Sequence, residues 1–136
     1  MGPLRERRVL ATLAISYAVA LALLVAGPWG WALNRFTVRC YVLFAYTWPI
    51  APAWVGPEDY GVLLNVLLFV PVGALGVVLT RWVWWRVVLV AAIGSLAIET
   101  AQWLFLEREG GWGDLASNAA GALLGAVAVS LLARRR

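Results

Sequence analysis

The chain has 136 residues, 63% of them hydrophobic, and a mean hydropathy of +0.83. A soluble domain of this size does not need that much apolar surface, so an all-α membrane protein is expected. The formal charge of +4 does not point to nucleic acid, because all eleven basic residues are Arg and they gather at the ends of apolar runs. With no His and one Cys, no transition-metal site and no cofactor are expected.

In chain order, the first apolar run spans about Val9 to Ala26. It is longer than a typical signal-peptide core, and Gly27-Pro28-Trp29 is a poor cleavage site, so it is expected to stay as a span. The loop from Gly27 to Asp59 carries Pro28, Pro49, Pro52 and Pro57, so it cannot be one continuous helix. Within it, Ala32 to Trp48 is aromatic and β-branched, with Arg35 and Arg39 one helical turn apart. That segment is expected to be interfacial or re-entrant and to lie on the bundle, since two Arg and Asn34 argue against a span. Cys40 lies in the same loop and has no intrachain partner for a disulfide.

The second span, about Tyr60 to Thr80, opens on Pro57-Glu58-Asp59, a helix-start signal of proline followed by first-turn acid. Pro71 removes a backbone donor and leaves the Leu67 carbonyl without its helical partner. The third span covers about Trp84 to Leu106, and the fourth about Leu115 to Ala133. Asp114 is expected to cap the fourth helix. Gly121 and Gly125 form a GxxxG that permits close helix packing. The expectation is one membrane domain over residues 1–136: four transmembrane helices in a bundle, with spans at about 9–26, 60–80, 84–106 and 115–133. Eight Arg (5, 7, 8, 81, 86, 134, 135, 136) fall on one side and three (35, 39, 108) on the other. The positive-inside rule then places both termini in the cytoplasm, in a multi-pass plasma-membrane topology.

Glu99 is the exceptional residue, because a carboxyl at bilayer depth costs roughly 2.5 kcal/mol or more and usually faces a protein interior. Ser95, Glu99 and Gln102 share one helical face through their i, i+4, i+7 spacing. Counting 1.5 Å per residue, Asn65, Glu99, Gln102 and Asn118 all fall in the outer half of the bilayer, on three different helices. Arg108 and Asp114 lie at the mouth above them, and the inner halves of the same helices are almost purely apolar. This pattern predicts an outward-facing polar pocket with a dry floor. A transporter or channel is disfavoured, because a through-path needs polar groups at both depths.

Asn65-Val66-Leu67-Leu68-Phe69-Val70-Pro71-Val72-Gly73 resembles the N-x-x-x-F-x-P-x-G motif of the VanZ family, the teicoplanin-resistance-like small membrane proteins. Ser95-x-x-x-Glu99-x-x-Gln102 resembles that family's second motif. Arg108 followed by Asp114-x-x-x-Asn118-x-x-Gly121-x-x-x-Gly125 resembles its third. The resemblance runs from about Asp59 to Leu132 and departs at Gly110-Gly111-Trp112-Gly113, where family members often carry a second acid. It implies a bacterial multi-pass membrane protein associated with glycopeptide resistance, and it supplies no mechanism.

Two readings of the polar cluster follow. In the first, the pocket binds or modifies an amphipathic cell-envelope molecule, a lipid-linked precursor or a lipoglycopeptide. Glu99 is then the candidate acid/base, and Asn65, Gln102, Arg108, Asp114 and Asn118 contact the ligand. In the alternative, the chain is a non-enzymatic scaffold or resistance factor, and its intramembrane polar groups serve only to hold helices together. Beyond the lipid bilayer and such a ligand, no partner is implied.

Overall fold

The computed structural model of the chain describes residues 3–26, 30–105 and 111–135. Five α-helices follow one another: α1 Pro3–Ala26, α2 Gly30–Val42, α3 Pro57–Thr80, α4 Trp84–Phe105 and α5 Trp112–Arg134. All except α2 are long and apolar enough to cross a membrane. The shortest of those four, α4, has 22 residues, about 33 Å of helix. The described residues contain no strand. Periodicity is weak along α3, α4 and α5 because apolar side chains surround them. That is the pattern of a helix packed on one side and solvated by lipid on the others.

The helix ends follow local chemistry. Gly56 precedes α3 in an extended conformation, and its N–H donates to Asp59 Oδ2 at 2.7 Å. The proline-then-acid start therefore satisfies a backbone donor that the helix itself leaves open. α3 runs through Pro71 to Thr80 and stops at Arg81, which adopts the left-handed conformation (φ 58°) and donates its N–H to the Val77 carbonyl at 2.9 Å. Three residues then suffice to turn the chain into α4.

One expectation about a helix end is corrected. α5 starts at Trp112 with Gly111 as the capping residue, so Asp114 is not the cap but lies in the first turn. The glycine-rich stretch reads as loop up to Gly113, yet Gly111 accepts hydrogen bonds from the N–H groups of Asp114 and Leu115. An acid in the first turn still complements the positive end of the helix. Its carboxylate is thereby left to a neighbouring helix.

The central seam is α3 against α5. Ala122 and Ala126 are fully buried, and Phe69, Gly73, Gly121 and Gly125 are buried around them. A Cβ placed on Gly121 would collide with the Val66 carbonyl, one on Gly125 with the Val70 carbonyl, and one on Gly73 with the backbone of Ala122. The GxxxG thus brings two backbones into direct contact, as lipid-solvated helices require when dispersion supplies the attraction. α4 packs on α5, where Ser95 meets Asn118, and Gln102, Val87 and Ala91 are also buried.

α2 is continued by a π-helical turn over Leu43–Thr47 and packs on α3. The segment expected to be interfacial or re-entrant is thus a short helix on the bundle. Around its end Phe44 stacks parallel to Tyr60, with ring centroids 6.3 Å apart, and Tyr41 meets Tyr60 edge-on. α1 is the loosest element, with no buried side chain between residues 5 and 24. Its Tyr17 hydroxyl donates to the Leu68 carbonyl at 2.5 Å, beside the backbone gap that Pro71 opens. Tyr17→Phe is therefore expected to lower stability by about 1 kcal/mol. Comparing the unfolding midpoints of the two proteins in the same detergent checks this; an unchanged midpoint would remove Tyr17 as the clasp of α1.

Candidate functional site

A cavity of about 220 Å³ opens where α1 and α4 end and α3 and α5 begin. This is far more than the roughly 10–15 Å³ that houses one water. Each of the five helices contributes to its wall. α3 brings Asn65 on a face it shares with Leu68 and Phe69. α4 brings Glu99 and Gln102, and α5 brings Asp114 and Asn118. Five of the six site residues expected from sequence therefore line one space. The sixth, Arg108, lies outside the described residues.

Hydrogen bonds tie the walls together. Asn65 Nδ2 donates to Asp114 Oδ1 at 2.8 Å, joining α3 to α5 at the mouth. Asn118 Nδ2 donates to Ser95 Oγ at 2.8 Å, joining α5 to α4 one turn deeper. The i, i+4 spacing of Asp114 and Asn118 stacks them on one face of α5, and the spacing of Ser95, Glu99 and Gln102 does the same on α4. Two polar faces meeting across a helix pair thus produce the site. Ser95 is 1% exposed, Gln102 7% and Asn118 8%, so these groups have left lipid completely.

Asn118 Oδ1 is buried and has no hydrogen-bond donor among the described residues. A buried amide oxygen in that condition costs about 1–3 kcal/mol. Glu99 is half-buried, with its Oε2 fully shielded. It also lines a second cavity of about 480 Å³ between α4 and α5, beside Thr100, Trp103 and Trp112. Glu99 therefore forms part of the partition between the central cavity and a lateral opening.

The sequence reading missed the contribution of α2. Asn34 and Thr37 both line the central cavity. Thr37 is buried, and its hydroxyl donates back to the Asn34 carbonyl at 2.8 Å. Their i, i+3 spacing was the available signal, since it sets both on one face of a short helix. The opposite half of the bundle contrasts with this region. A groove of about 430 Å³ among α1, α3 and α4 is walled almost wholly by apolar atoms.

The arrangement gathers two carboxyl groups, four side-chain amides and one hydroxyl around a cavity that narrows into apolar surface. Such a set can accept and donate several hydrogen bonds to a hydroxyl-, amide- or amine-bearing group. A carboxyl held among neutral polar groups can also exchange a proton with that group. A protein-family model described as VanZ/LLP1 matches residues 9–133. No curated protein and no solved structure matches the chain.

Proposed function

Since the chain belongs to the VanZ/LLP1 family, we propose that it binds or modifies an amphipathic cell-envelope molecule whose head group enters the central cavity from the outer leaflet. The observation that carries this reading is the division of the bundle. Polar groups from four helices surround one cavity at one end, and an apolar groove continues from it towards the other. Lipid-linked wall precursors and lipoglycopeptides share the matching chemistry, a head rich in hydroxyl and amide groups on a hydrocarbon tail. Withholding such a molecule from its normal encounter is how the protein would contribute to glycopeptide resistance. Glu99 is the acid/base if a reaction occurs, and Asn65, Gln102, Asp114 and Asn118 orient the head group. Arg108 is assigned to the rim by its place in the sequence alone.

A second reading has its own support. The Asn65–Asp114 and Ser95–Asn118 hydrogen bonds cross-link α3, α4 and α5. That is what a scaffold with structural polar residues would show. Titrating the protein in lipid nanodiscs with a lipid-linked disaccharide and with teicoplanin separates the two. The binding reading expects saturable binding of at least one, weakened in Asn118→Ala. Binding of neither favours the scaffold.

The outward placement of the cavity rests on the eight-to-three division of Arg. Reporters fused to either end are expected to be active only in the cytoplasm. A terminus found outside would turn the cavity towards the inner leaflet and remove extracellular glycopeptides as ligands.

A further inference from the structure

We infer that the apolar groove among α1, α3 and α4 holds the single hydrocarbon chain of the ligand, with the chain's first carbons beside the Ser95–Asn118 hydrogen bond. This deepens the reading of the cavity as a head-group site and rests on it. Three observations carry it. The groove is continuous with the polar cavity, for Leu21, Phe69 and Ile98 wall both. Ser95 lies in the groove and Asn118 in the cavity, and their hydrogen bond marks the boundary. At that boundary Asn118, only 8% exposed, has an Oδ1 that lacks a donor among the described residues, which a hydroxyl or amide next to the chain would supply.

The groove holds about 430 Å³ and follows α4 from Ile98 to Val87. That is roughly 16 Å along the helix. Trp82 and Thr80 stand at its far end. Small residues make the room: a Cβ added to Gly94 of α4 would meet nothing within 4 Å among the described residues, and Ala14 and Ala18 face it from α1. α1 is the wall that can yield, since no side chain between residues 5 and 24 is buried. A lipid can therefore enter sideways, tail first, without its head group crossing the membrane.

The test uses octyl and dodecyl glucosides that carry a photoreactive diazirine at the chain end, with the protein in nanodiscs. Dodecyl labels are expected on Val87 and Trp82, towards the far end of the groove, and octyl labels on Ala14 and Ala91, part-way along it. Gly94→Leu adds bulk to the groove where the fold has space, and it raises helix propensity. It should lower retention of both glucosides by about ten-fold, the loss of two or so buried methylenes, because both chains must pass Gly94 beside the Ser95–Asn118 hydrogen bond. Ala18→Leu should do the same from the opposite wall. Asn118→Ala should weaken both glucosides.

If Gly94→Leu and Ala18→Leu leave the dodecyl label and its retention unchanged while Asn118→Ala weakens both probes, the groove assignment is wrong and the cavity reading stands. If Asn118→Ala also has no effect, the cavity reading falls as well. A dimer in the nanodiscs that Ala18→Leu dissociates would show a second chain, and not a lipid tail, covering the groove.

Discussion

Glu99→Gln should leave the helix bundle assembled and weaken binding of the dodecyl glucoside probe by about ten- to a hundred-fold, the loss expected for one hydrogen bond to a charged or proton-sharing group. Gln keeps the length of the side chain and its polar end. It replaces one carboxyl oxygen with an N–H donor and removes the ability to gain or lose a proton. Packing should therefore survive, with the unfolding midpoint within about 0.5 kcal/mol of the parent. A scaffold whose polar cluster only joins helices predicts no loss of binding, because it predicts no site. Paired measurements of binding and unfolding on one preparation decide between them. Glu99 is the informative position because it lines both the central cavity and the lateral one.

Adding a single methyl group at Gly125 should be among the most damaging small changes in the chain. The Cβ of Gly125→Ala would enter the space of the Val70 carbonyl, a backbone atom that cannot rotate away. Relief requires α3 and α5 to separate along their whole seam, because Gly121 and Gly73 make the same kind of contact one turn away on either side. The expected loss is about 1–3 kcal/mol for Ala. Gly125→Leu is expected not to accumulate at all. Gly94→Ala is the internal control. Its Cβ meets nothing within 4 Å among the described residues, so it should be neutral or stabilising by up to about 1 kcal/mol. Unfolding by SDS in mixed micelles measures Gly125→Ala and Gly94→Ala against the parent, and equal midpoints for Gly125→Ala and the parent would refute the backbone contact. The seam also bears on the site, since Asn118 sits one turn above Ala122 on the same helix.

Much of this architecture could be read from residue order. Apolar length placed the four spans, and Pro57-Glu58-Asp59 marked the start of α3 because that pattern answers a fixed need of helix N-termini. Gly121 and Gly125 announced close packing. Their partners, the carbonyls of Val66 and Val70, were not legible, because a carbonyl group carries no side-chain signature. The convergence of polar groups was foreseeable from depth, since lipid leaves an Asn or Glu few directions to face.

Asp114 shows the opposite situation. Local chemistry suggested a cap, but the helix begins two residues earlier, and its carboxylate accepts a hydrogen bond from Asn65, 49 residues away in sequence. Asn34 and Thr37 escaped notice for a related reason. They belong to a segment with mixed polarity, and only its docking on α3 turns their face into cavity wall. The groove between α1 and α4 was equally hidden, because small residues in an apolar run look the same whether they face lipid, a neighbour or a gap.

If the polar cavity and the apolar groove form one ligand site, one bound lipid should occupy both. An experimental density map of the protein in nanodiscs made from its own membrane lipids tests it most directly. Elongated density is expected, with a polar end bounded by Asn65, Glu99 and Asn118 and a tail running between α1 and α4 past Gly94. Side chains closing the cavity, with Asn118 Oδ1 paired to a protein donor and α1 packed flush against α4, would contradict it.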